Sequence, residues 1–78
     1  MAAVRNLGTR PIIVSTVARL ARQRAGFTVA ELSRRSGVSE ETIRRVELGR
    51  SDPRVETVVM LLAACEVAIA SATQALQT

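Results

Sequence analysis

Apolar positions recur along the chain mostly at the spacing of helices, in runs broken by glycine and proline. Val14, Val17, Ala18 and Ala21 share one stripe, with Ile13 and Leu20 flanking it. This predicts a first helix that begins between Thr9 and Ser15 and runs to about Ala25, where Gly26 stops it. Pro11 is tolerated only in a first turn, which makes Thr9 the cap. Phe27 is expected as a core plug between helices. A second helix is predicted from Thr28 to about Arg35, with Leu32 inward and Ser33 small enough for a close crossing. A third is predicted from Ser39 to about Leu48, with Ile43 and Val46 as its apolar edge and Glu40, Glu41, Arg44 and Arg45 outward. Only Ser36, Gly37 and Val38 separate the two. Gly37 supplies the left-handed backbone that a tight corner needs, and Val38 plugs that corner from below. Ser39 is a strong cap, and Thr42 stands where a capping box would place glutamate, so the box is half built. Gly49 closes the third helix.

Beyond it, Arg50 to Arg54 reads as a turn, with Asp52 before Pro53. A fourth helix starts near Val55 and runs through Cys65, apolar almost all round, as for a central helix or one covered on one side by another chain. The tail from Glu66 to Thr78 is ambiguous. Val67, Ile69 and Ser71 alternate as a strand would, whereas Ile69, Ala72 and Leu76 recur as a helix would, and alanine richness favours the helix. Met1 to Gly8 has no periodicity, so residues 1–10 are expected to form a flexible arm, disordered or in touch with a phosphate or groove. Residues 11–78 are expected to fold as one all-α domain, a compact bundle of four to five helices containing a helix-turn-helix over 28–48. Residues 55–78 are left for dimer or partner contact.

Composition narrows the chemistry. At 78 residues the chain makes one domain with a marginal core, burying about 60% of the surface that it exposes when unfolded. The lone Cys65 excludes an internal disulfide and is expected as a small buried apolar residue. With no histidine, a zinc site or a histidine-based catalytic centre has nothing to be built from, and neither metal nor cofactor is expected. One aromatic ring argues against stacking platforms for single strands; reading a duplex needs none. The net charge is +4 and every basic residue is arginine. Residues 1–54 hold all 11 arginines against 5 acids, and residues 55–78 hold none against 2 acids. That asymmetry suits a basic face turned to phosphate and an apolar far end free for a partner. The longest apolar run, Val58 to Cys65, falls far short of the roughly 20 residues that cross a bilayer. No secretory signal is visible, because Arg5 and Arg10 precede only Pro11, Ile12, Ile13 and Val14. The expected compartment is the cytoplasm, without membrane contact.

Arg22, Gly26, Thr28, Leu32, Gly37, Val38, Ser39, Ile43, Glu47, Gly49 and Pro53 together carry a family spacing. Over about residues 14–69 the chain resembles the lambda-repressor-like, or Cro/repressor-type (XRE), helix-turn-helix family, above all in GVSEETIRRVELGRSDP and ARQRAGFT. The resemblance implies a bacterial or phage regulator that binds operator DNA as a two-fold dimer. It also implies a structural ion pair between Arg22 and Glu47, sensible because a buried carboxylate without a partner is costly. Carried onto this sequence, the phosphate-clamping positions are Thr28, Val29 and Arg50, and the base-facing positions are Ser39, Glu40, Glu41, Thr42, Arg44 and Arg45. Backbone amides opening the second helix would also face phosphate.

Three departures stand out. Val29 replaces a glutamine that commonly holds the DNA backbone, and Glu66 replaces the glycine that usually ends the fourth helix. Glu40 and Glu41 put two carboxylates where neutral or basic readers are usual. Three readings of them stay open: they pair at four-residue spacing with Arg44 and Arg45; one accepts from cytosine N4; or the helix serves a protein instead of DNA.

The function expected is therefore a sequence-specific double-stranded DNA-binding transcriptional regulator, a repressor, reading the major groove with residues 39–48. The alternative is an antitoxin-like or adaptor module that binds a toxin or another protein through residues 55–65 and the tail. No enzyme is expected, because no nucleophile and base or paired carboxylates converge on a pocket. A homodimer is expected, since a single reading helix covers too few base pairs for strong specificity.

Overall fold

The computed structural model describes residues 10–50 and 52–77. The N-terminal arm and the Thr9 cap lie outside them, apart from Arg10, which opens the first helix. Four helices follow in order: α1 (Arg10–Ala25), α2 (Val29–Ser36), α3 (Glu40–Glu47) and α4 (Val55–Gln77). α1 lies against α3 and α4, and α2 against the same two, so the helix-turn-helix pair and its supports share one core. Its buried members are Ala18, Leu32, Val38, Ile43, Val46, Leu61 and Cys65, with Val14, Ala21, Ala25, Phe27, Val29 and Ala64 packed around them. Phe27 leans on this cluster and carries the Arg35 guanidinium 5.1 Å from its ring centroid. It therefore plugs the core from the side rather than from within.

The buried stripe of α1 is rotated from the expected one. Val17 and Leu20 are nearly half exposed and Ile13 more so, while Ser15 is buried. Arg22 accounts for the turn of the helix: it must face inward to reach Glu47, and the residues one and two turns before it on that face are Ala18, Ser15 and Val14. A small residue at Ala18 lets the neighbouring helices approach closely there.

The tail is resolved as helix. α4 continues through Glu66, which is exposed and does not break it, as far as Gln77. Leu61 and Cys65 face the core, and the same helical stripe runs on through Ala68, Ala72 and Leu76. From Ala70 onward every described residue is exposed, Leu76 to 88%. The core-facing side of α4 thus outruns the bundle. The expectation that no segment reaches membrane-spanning length counted only the unbroken run to Cys65. The 23-residue helix containing that run includes an 18-residue stretch with a mean hydropathy of 1.9, and is long and apolar enough by length and composition. Its N-terminal half, however, is bound to α1 and α2 through Leu61 and Cys65.

Candidate nucleic-acid interface

Each end of the two short helices is closed by its own sequence. Thr28, with extended backbone, accepts the Glu31 amide on its hydroxyl at 3.0 Å and so opens α2. Gly37 ends it at φ 81°, its amide donating to the Ser33 carbonyl at 2.9 Å. The corner is drawn tighter by the Val38 amide, which donates to Ser36 Oγ at 3.1 Å and drops the Val38 side chain into the core. Ser39 then opens α3: its Oγ accepts from the Thr42 amide at 3.2 Å and donates to Thr42 Oγ1 at 2.9 Å. At the far end Gly49, at φ 69°, donates to the Val46 carbonyl and Arg50 to the Arg45 carbonyl at 3.2 Å. These two bonds form a Schellman cap, which satisfies carbonyls that the helix alone would leave open.

Inside the bundle, Arg22 grips Glu47 at two points, Nε to Oε2 at 2.7 Å and Nη2 to Oε1 at 2.9 Å. Its remaining nitrogen donates to the Phe27 carbonyl at 3.0 Å. The hydrogen bonds to Glu47 raise the Arg22 pKa above its ordinary value against the opposing effect of burial. Arg19, one turn earlier on α1, donates to the Glu47 backbone carbonyl at 3.3 Å. Arg19 was not singled out from the sequence, although its three-residue offset from Arg22 puts it on the same side of α1. Cys65 lies near this pair, and its thiol is pushed up chiefly by burial and secondly by the Glu47 charge, with Arg22 opposing.

Outside, α3 presents four charged side chains. Glu40 accepts from Arg44 at 3.0 Å and Glu41 from Arg45 at 3.2 Å, both at four-residue spacing. On α2 the Glu31 carboxylate takes both Arg34 and Arg35. The two α3 pairs are not equivalent. Arg44 leans toward α1 and lines a shallow hollow with Arg19, Glu47 and Leu48, whereas Glu41 and Arg45 stand opposite the buried edge formed by Ile43, Val46 and Glu47. Thr28 and Arg50 are exposed at the two ends of the unit. Val29 packs against the core, so that only its backbone amide, ahead of the first intrahelical bond, is offered outward.

Arg44, Arg45 and Arg50 are all exposed, so guanidinium groups stand on two sides of α3 and just beyond its C-terminal end. Among the described residues no cluster of three potential metal ligands forms.

Comparison with protein families matches residues 19–71 to a family described as helix-turn-helix, a span that takes in the second half of α1, both short helices and most of α4. No curated protein and no solved structure matches the chain.

Proposed function

The chain belongs to the Cro/repressor-type helix-turn-helix family of DNA-binding regulators, and on that premise we propose that it is a sequence-specific repressor acting on double-stranded DNA in the cytoplasm. In this reading α3 enters the major groove, where Arg44 and Arg45 meet base edges and Thr42 offers its methyl group. Thr28, the Val29 amide and Arg50 hold the phosphates on either side. Glu40 and Ser39 stand at the mouth of the groove.

One observation carries the proposal. Arg45 and its neighbours stand exposed on the side of α3 opposite the core, while α3 itself is fixed by caps at both ends and by the Arg22–Glu47 pair. A short helix is a useful reader only if it holds one orientation.

Selecting bound duplexes from a random pool and then titrating salt tests it. The proposal expects an enriched sequence and an affinity that falls steeply with salt as counterions are displaced. A flat salt dependence with no enriched sequence would discard it.

The protein is proposed to act as a homodimer through the overrunning stripe of α4, joined by the exposed Val17 and Leu20 of α1, which share a shallow apolar hollow with Ile69. The stretch from Val67 to Gln77 carries no charged side chain, so a second copy can lie on it without like-charge repulsion. The same uncharged face supports a second reading, an antitoxin-like adaptor that uses α4 for another protein. That adaptor would show little salt dependence.

A further inference from the structure

We propose that Glu41 and Arg45 read DNA as one neutral unit, with Arg45 donating to guanine O6 and N7 and the Glu41 carboxylate accepting from the N4 amine of a cytosine in the neighbouring base pair. This deepens the reading of α3 as the major-groove helix and rests on it.

Three features support the unit. Glu41 and Arg45 lie directly opposite the buried edge of α3, whereas the Glu40–Arg44 pair is turned toward α1. They are also the more exposed of the two pairs, with 78% of the Glu41 and 64% of the Arg45 side-chain surface open. Finally, one Arg45 nitrogen is spent on Glu41 Oε2 at 3.2 Å. A guanidinium has five N–H donors, so a bidentate contact to guanine remains available without breaking the pair. Glu41 keeps Oε1 for a further donor.

The choice of base follows from what the groove offers. Its only donors are the amines of cytosine and adenine. The adenine amine is flanked on both sides by acceptors that repel a carboxylate, its own N7 and thymine O4, while the cytosine amine has an acceptor, guanine O6, on one side only. A lone carboxylate would be expelled by the negative potential of the groove; paired with Arg45 it enters without net charge. The two side chains are joined at their tips by a hydrogen bond, so the bases that they meet lie close together in the groove, in neighbouring pairs.

The test uses the full chain, the duplex it selects from a random pool, and every single-base variant of that duplex. Wild type is expected to prefer cytosine about tenfold at one position next to a guanine. Glu41→Ala should lose that preference and keep the others, and Glu41→Gln should move it toward adenine, which a side-chain amide can grip at N6 and N7. Glu31→Ala, which removes the same charge from α2, should raise affinity for all duplexes without changing the preferred sequence. If Glu41→Ala behaves like Glu31→Ala, the carboxylate only balances charge and the inference is overturned. If wild type shows no base preference at any position, the reading of α3 fails and this inference fails with it.

Discussion

Arg22 and Glu47 stand 25 residues apart in sequence and meet through two parallel hydrogen bonds, which tie the first helix to the last residue of the third. The exposed face of α3 is thereby held from behind by a residue on the buried side of the helix. Removing one partner strands a mostly buried charge, so Arg22→Ala is expected to cost about 3 kcal/mol, against a few tenths for the exposed Arg24→Ala. Urea melts of the two variants check this, and equal midpoints would contradict it.

Gly37 is expected to resist replacement for conformational rather than steric reasons. A β-carbon there would meet nothing nearer than the end of the Met60 side chain at 3.9 Å, but φ is +81°. Gly37→Ala should therefore lose about 1 kcal/mol, and Gly37→Asn less, because asparagine tolerates the left-handed region better. Similar losses for both would point to packing instead.

The proposed roles of Arg45 and Arg50 separate in binding. Arg45→Ala should lower affinity for the preferred duplex by about 1 to 3 kcal/mol and relax selectivity at one base pair. Arg50→Ala should weaken all duplexes alike and reduce the slope of log affinity against log salt by about 1. The same sequence-independent loss in both variants would refute the division.

Cys65 gives the fold an alkaline limit. Because its thiol is pushed up in the folded state, the unfolded chain gives up that proton first, and stability falls as pH rises past about 8.5. Below that pH the group contributes no slope. Cys65→Ala should flatten the alkaline side of a stability-against-pH curve, at the cost of lower stability throughout from the cavity. An unchanged alkaline slope would assign the effect to other groups.

The stripe of α4 can be tested apart from DNA. Wild type is expected to sediment as a dimer at micromolar concentration, and Leu76→Asp as a monomer with little change in melting temperature, because Leu76 lies beyond the bundle. Unchanged sedimentation would remove Leu76 from the dimer contact.

The parts of this protein legible in its sequence are those decided locally. Thr28, Gly37, Ser39 and Gly49 each act on a neighbour within about five residues, and the structure places all four at helix ends. The rotation of α1 was not legible, because its apolar residues spread over a wide arc and only the distant Glu47 decides which of them turn inward. For the tail, both periodicities fit alanine, and it takes the helical continuity from Cys65 through Glu66 to distinguish them. At the candidate interface, the four-residue spacing disclosed the Glu40–Arg44 and Glu41–Arg45 pairs. It did not reveal that one pair leans toward α1 and the other away from the core.

The backbone bond from Arg50 to the Arg45 carbonyl turns the stretch between them into a ruler. The side chain proposed to meet a base and the one proposed to meet a phosphate are set on a single rigid bar, with their phase fixed by the number of residues between them. Lengthening that bar by one residue would keep both arginines but turn one against the other by about 100°.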